Sequence, residues 1–377
     1  MPLEPPCTAL RIDRGLRPVA YAFALTLILS LGSIPAPDLA ADPWEVTSAD
    51  GESSIKFGYL AVMRAESEEL PNGEDAENLF FRRLRIMFGG KLAPKWTFFF
   101  ETDSPNLGKS APDGSKGASD VFIQDFFVTY NHTDAFKLDF GLILIPLSRN
   151  STQSAVTHLT NDYGPYSFLN SGPTNSRVGR DYGVQARGSL AENKFEYRLG
   201  VYDGNRGENA AEDLRYAGRV MFHVFDAETG MFYTGNNLGA KRALSFGAGF
   251  DTQDDYTAIG ADLFYDQPVG DDGSAFTFQL DWINYDGGDT FASLPDQDTF
   301  LVEAGYYSGS TKWQPWLQYA ERDFADNGLA DQESFFVGAN YRMQKHNRLV
   351  RVAYGQLSQD GADDRDVLQV TLQIFQF

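Results

Sequence analysis

The chain has 377 residues, 31 basic against 52 acidic, and a formal charge of −21. So acidic a chain lacks the basic footprint of a nucleic-acid partner, and beyond residue 35 nothing approaches the ~20 unbroken apolar residues of a spanning helix. With 36 glycines and 14% aromatic residues, two classes remain: a soluble all-β protein, or a membrane barrel whose strands hide their hydrophobicity in alternation.

In chain order, Arg11, Arg14 and Arg17 precede an apolar run over 19–34, and Ala40 and Ala41 follow as a cleavage point. This layout predicts a secretory signal peptide over 1–41 rather than an anchor helix, because Pro35 and Pro37 interrupt the run at once. Cys7, the single cysteine, would leave with it. The mature chain, 42–377, is then one exported barrel domain without disulfides, held by its core or by closed hydrogen-bond ladders.

From Ser53 the pattern has period two. Ile55, Phe57, Tyr59, Ala61 and Met63 share one face, followed by Leu84, Ile86 and Phe88, then Trp96, Phe98 and Phe100 after a tight turn. The runs continue over 120–131, 137–148, 179–190, 193–202, 213–225, 241–251, 256–265, 274–285, 298–308, 312–322, 333–343, 347–358 and 366–377. With 53–64, 80–92 and 96–103 they make 16 candidate strands. Short connections such as 132–136 and 344–346 interleave with longer, acidic ones at 65–79, 104–119, 286–297 and 323–332. An even strand number with that asymmetry predicts an all-β, 16-stranded antiparallel transmembrane β-barrel with short periplasmic turns and longer extracellular loops.

The opposite face carries charge. Arg83, Arg85, Arg187, Arg198, Arg215, Arg219, Arg342 and Arg351 fall out of phase with the apolar stripes, as do Glu101, Asp125, Asp139, Asp251, Asp262, Asp281 and Glu303. An apolar face toward lipid and a charged face toward water fit a bacterial outer-membrane barrel. A two-layer soluble sheet would imitate this only by packing its apolar faces together.

Three stretches, FFRRLRIMFGGKLAPKWTFFFETD (80–103), SRVGRDYGVQARGSL (176–190) and GMFYTGNNLGAKRALSFGAGFDTQDDY (230–256), resemble the phosphate-selective porin O and P family of outer-membrane channels. The resemblance spans the mature chain and implies a homotrimeric barrel through which small hydrophilic solutes or ions diffuse. It also implies that Phe377, with Phe375, addresses the chain to the barrel-insertion machinery. Both phenylalanines are out of phase with the stripe Leu368 to Ile374, which predicts a local bulge or a stripe that changes face.

The longest connection, 149–178, contains Arg149, His158, Asp162, Tyr163, Tyr166 and Arg177. Its position and length match the porin loop that folds into the lumen and narrows it, the alternative being a loop that caps the outer surface or a trimer contact. Fixed charge at such a constriction selects ions. The phasing suggests a transverse field, with the arginines facing an acidic wall of Asp251, Asp262, Asp281 and Glu303. Arginine's forked donors suit phosphate or carboxylate transit, although the loop contains no lysine, the residue associated with the family's phosphate filters. Any single lumen arginine could equally be the salt-bridge partner of a neighbouring carboxylate.

No cofactor and no metal are implied. His132, His158, His223 and His346 lack ligand spacing, and no Walker loop, nucleophile elbow or dinucleotide fingerprint appears. Acidic tips such as Asp251, Asp254 and Asp255 read as solvated loops beside lipid and lipopolysaccharide rather than cation sites. The competing classes are a barrel lipase or protease, for which His158 and His223 are the only candidate bases, and a structural or adhesion barrel.

Overall fold

Period-two strands joined by hairpins give an antiparallel sheet with two unlike faces, and closing that sheet removes its edges. The computed structural model of the protein describes residues 44–110, 115–116, 120–167, 179–207, 212–326 and 328–377. The expected signal peptide and Arg177 lie outside the described residues. Among the described residues seventeen strands are present: β1 (Trp44–Thr47), β2 (Ser54–Glu69), β3 (Asp75–Ala93), β4 (Trp96–Asp103), β5 (Phe122–Thr133), β6 (Phe136–Leu144), β7 (Arg180–Leu190), β8 (Phe195–Tyr202), β9 (Arg215–His223), β10 (Ala243–Gln253), β11 (Tyr256–Val269), β12 (Ser274–Asp286), β13 (Gln297–Tyr307), β14 (Trp313–Phe324), β15 (Gln332–Gln344), β16 (Arg348–Gln359) and β17 (Arg365–Gln376).

From β2 onward each strand pairs antiparallel with the next, and β17 returns to β2 with Val367 opposite Glu68 and Gln376 opposite Tyr59. Short β1 takes the rest of the same β2 edge, with Trp44 opposite Phe57 and Thr47 opposite Ser54. The result is a closed barrel of 16 strands whose last position is shared by β1 and β17. At four residues, β1 is too short to show alternation.

The two faces separate as their chemistry requires. Ile86, Phe126, Phe140, Val184, Val201, Val220, Phe250, Ile259 and Val337 are exposed on the outside. Asp125, Asp139, Gln185, Arg198, Arg219, Asp251, Glu303 and Thr371 are buried on the inside. At the C-terminus the pairing of β17 with β2 runs without a bulge, so the stripe changes face. Phe375 and Phe377 follow Gln369, Thr371 and Gln373 inward, and Phe377 meets Phe99 edge-on at 5.8 Å.

Two bulges sharpen the inner wall. The ladder passes from Val62–Arg83 to Met63–Phe81, so Arg82 is an extra residue beside Arg83. A second passes from Glu101–Asp125 to Thr102–Ile123, leaving Gln124 beside Asp125. Each sends two successive polar side chains inward where strict alternation permits one.

The connections correct the expected pattern in two places. Most of 65–79 is strand, leaving only 70–74 as the link between β2 and β3. Between β9 and β10, at the short-turn end, the chain instead makes a long excursion from Val224 to Arg242.

Candidate functional site: two inserted segments and the passage beside them

After β6 the chain turns into the barrel. Its anchors are the wall carboxylates: Arg149 N–H donates to Asp262 Oδ2 (3.1 Å), Asn150 N–H to Asp281 Oδ1 (2.9 Å) and the Thr160 hydroxyl to Glu303 Oε1 (2.8 Å). A short 3₁₀ turn over Asn150–Thr152 presents those backbone donors. Gly249 on β10 lets the loop lie flat, because a side chain there would collide with the Leu147 carbonyl oxygen. Asp262, Asp281 and Glu303 therefore lie beneath the loop, and Asp251 is taken by Arg215. Instead of an acidic wall facing open water, they form the bed on which the loop rests.

The segment 224–242 enters from the other end and meets this loop. Tyr233 bridges Gln153 in parallel, with Ser154 N–H donating to Tyr233 O (2.9 Å) and Tyr233 N–H to Thr152 O (3.0 Å). The Tyr233 hydroxyl donates to Glu196 Oε1 (2.9 Å). Its ring is flanked by the guanidiniums of Arg198 (4.4 Å), Arg149 (5.2 Å) and Arg219 (5.4 Å). Arg149 also pairs with Glu228 (2.6 Å), Arg198 with Glu196 (2.6 Å) and Arg219 with Asp262 (2.6 Å). Arg149, Arg198 and Arg219 thus clamp the two insertions together, each paired with a carboxylate and packed on the Tyr233 ring, and none of them lines either cavity described below.

The space left open runs along β2–β7, with residues of β14–β17 closing its other side. A cavity of about 730 Å³ is lined by six cationic side chains, Arg64, Arg82, Arg83, Arg85, Lys109 and Arg180, against three carboxylates, Glu66, Asp103 and Asp162. Asp162, from the loop, sits among three of these cations: Arg82 Nε lies 2.6 Å and Arg64 Nη2 3.4 Å from Oδ2, and Arg83 pairs with Oδ1. Burial alone would raise the Asp162 pKa, but the guanidiniums of Arg82, Arg83 and Arg64 outweigh it and hold the carboxyl well below its usual range. Tyr163 packs edge-on against His158 at 4.1 Å and lies beneath the Arg83 guanidinium at 5.4 Å. Burial and the nearby Arg83 push His158 well below the ordinary histidine range, so it is neutral.

Toward the short-turn end a second cavity, of about 360 Å³, continues the first. Arg85, Tyr163 and Arg180 line both, so they mark the neck between them. Arg180 is held by Asp125 (3.1 Å), Arg85 by Glu101 (2.6 Å) and Asp103 (2.9 Å), and Arg187, at the lower cavity, by Asp139 (2.7 Å).

The remaining expected residues lie apart from this path. Arg342 and Arg351, on β15 and β16, are buried beneath the loop, donating to the His158 carbonyl (3.4 and 3.5 Å). Tyr166 stacks under Arg322 at 4.9 Å. Neither His158 Nε2 nor His223 Nε2 has a hydrogen-bond partner among the described residues, and no cluster of His, Cys, Asp or Glu there could hold a metal.

Sequence reasoning missed Arg64, Arg82, Arg180, Lys109 and Tyr233. Arg64 was legible, being in phase with Leu60 and Val62, which also point inward. Arg82 was hidden by the bulge, and Tyr233 lies in the connection between the runs 213–225 and 241–251, where alternation carries no signal.

Comparison with known proteins agrees with this architecture. A sequence profile described as phosphate-selective porin O and P matches residues 60–251, just over half of the chain. No curated protein matches. Among solved structures, Salmonella typhi OmpF in complex with daunomycin is 13% identical, with a TM-score of 0.59 over 88% of this chain and 100% of that one. The outer-membrane channel DcaP of Acinetobacter baumannii is also 13% identical, with a TM-score of 0.55 over 88% and 99%. Vibrio cholerae OmpT, in a trimer form, is 13% identical, with a TM-score of 0.50 over 86% and 99%. At these identities the likeness is one of fold.

Proposed function

Since this chain belongs to the phosphate-selective porin O and P family, and is an outer-membrane channel, we propose that it is an anion-preferring porin whose selective passage runs between the arginine face of β2–β7 and the inserted loop. The observation that carries this reading is the excess of six cations over three carboxylates around the upper cavity, against a chain that is otherwise strongly acidic. Field in a narrow, poorly screened passage is set by the nearest fixed charges, so local arginines outweigh distant surface acids. Phosphate is among the anions such donors suit.

The reading includes a homotrimer, as in the trimer form of OmpT, an outer wall set in lipid and lipopolysaccharide, a cleaved leader over 1–41, and an insertion address at Phe375 and Phe377. Loop residues Asp162 and Tyr163 narrow the passage. The reading assigns the protein no reaction.

Reversal potential in a planar bilayer under a potassium chloride gradient tests it. Anion preference, with current reduced by added phosphate, is the expected result, and cation preference overturns it.

A further inference from the structure

Most inward cations of this barrel are neutralised where they stand. Arg85 is held by Glu101 and Asp103, Arg180 by Asp125 and Arg187 by Asp139. Such groups shape the passage and lend it little net charge. Among the described residues, two buried arginines differ. Arg342 and Arg351 are each 1% exposed, and their partners there carry no carboxylate. Arg342 donates to Gln314 Oε1 (2.7 Å), His346 Nδ1 (3.1 Å) and the carbonyls of Lys345 and His158 (3.4 Å each). Arg351 shares the His158 carbonyl (3.5 Å), and its Nε has no partner among the described residues. Two guanidiniums with one carbonyl between them make a fixed, uncompensated charge.

This charge stands close to the passage without lining it. Along the wall Arg351 is opposite Thr371, and Thr371 is opposite Arg64, which lines the upper cavity. Arg351 is therefore two strand spacings, about 10 Å, from the passage wall. The loop covers the row, with Asn340 donating to the Leu159 carbonyl (2.8 Å) and Arg64 to the Asn161 carbonyl (3.1 Å). A charge seated under protein is screened far less than one in salt solution. Its field reaches the passage through the loop tip, where Arg64, Arg82 and Arg83 already share Asp162. Glu303 on β13 likewise lacks a cation among the described residues, its partners being Thr160 and Gln318. It opposes the pair with one charge against two.

We infer that Arg342 and Arg351 are selectivity-determining residues that permeating ions never touch, and that they bias the passage toward anions through the covering loop. The inference rests on the anion-preferring reading above and names the buried source of that preference.

Reversal potentials of the refolded full-length channel under a potassium chloride gradient test it. The double variant Arg342→Gln with Arg351→Gln keeps an amide donor near the His158 carbonyl and removes both charges. Its anion-to-cation permeability ratio is expected to fall about threefold at about 0.1 M mean salt. At about 1 M, where the screening length shrinks to about 3 Å, the ratio is expected to match the wild type. Single-channel conductance at that salt should also match, because the loop stays in place. Arg351→Lys retains the charge and should keep the wild-type ratio. An unchanged ratio in the double variant of an anion-preferring channel overturns the inference and leaves the anion reading standing. A fall in Arg351→Lys as large as in Arg351→Gln, or one that persists at high salt with enlarged conductance, marks a displaced loop and also overturns it. A wild-type channel that prefers cations overturns the anion reading, while a further fall in the double variant would still uphold the role of the pair.

Discussion

Asp162 Oδ2 lies 2.6 Å from Arg82 Nε, so the inserted loop delivers its carboxylate to the centre of the basic wall. In that position it does what a passing anion would do, taking donors from Arg64, Arg82 and Arg83 together. Asp162→Asn removes one fixed negative charge and leaves the three guanidiniums, and the anion-to-cation permeability ratio is expected to rise about threefold. A reversal-potential measurement reads this directly, and a fall in the ratio would contradict the assigned passage.

The same site predicts a pH response. The Asp162 carboxyl is held well below the ordinary carboxylate range, so its stabilising charge is present above the usual value of about 3.9 and is lost only as pH falls through the lowered value. The Asp162 contribution to selectivity, read as the difference between the wild-type channel and Asp162→Asn, is therefore expected to stay constant from pH 7 to about 4. Asp162→Asn should show its raised ratio across that whole window.

His158 in the loop and His346 in the turn between β15 and β16 behave oppositely. Burial and neighbouring arginines hold both well below the ordinary histidine range. The unfolded chain then takes up protons that the folded barrel does not, so stability rises with pH and falls below about 6.5. Thermal unfolding in detergent at pH 8 and pH 5 measures the slope, and His158→Gln with His346→Gln is expected to flatten it.

Tyr233 holds the segment from the short-turn end. Tyr233→Phe loses the bonds its hydroxyl makes with Glu196 and Arg219 and leaves Glu196 less well satisfied, a cost of about 1–2 kcal/mol in unfolding experiments. Its conductance should be unchanged, because the ring still fills the arginine clamp. Tyr233→Ala empties the clamp and frees the segment, so conductance should rise.

Gly249→Ala tests the bed of the loop. An added methyl meets the Leu147 carbonyl oxygen, and since backbone cannot rotate away as a side chain can, the loop must lift from β10. A larger, less selective conductance is the expected outcome.

Much of this fold was readable because alternation is a local signal: Phe140 beside Asp139, or Phe250 beside Asp251, declares an outside and an inside within two residues. The count of barrel strands and the inward orientation of Arg83, Arg85 and Arg187 follow from that alone. The site was less readable because its particular features break alternation or depend on distance. Arg82 reaches the lumen through a bulge. Asp262 and Asp281 face inward as phased, yet their role is decided by a loop more than a hundred residues away in sequence. Nothing between Val224 and Arg242 declares locally that it will fold inward, since its partners there include Thr152, Ser154 and Thr157, distant in sequence.

The meeting of the two insertions also orders assembly. A segment is seated most directly on an inner wall that is still open, and Gln153 and Tyr233, from connections at opposite ends of the strands, meet there. The pairing of β17 with β2 spans nearly the whole described chain, making it the contact of highest sequence separation in the wall. The chain is thus expected to gather β3–β16 as an open, curved sheet, seat both segments on its inner surface, and zip the β17–β2 seam last. Loosening Tyr233 or Gly249 would then slow closure of the seam, so that the nascent channel lingers as an unsealed sheet in the bilayer.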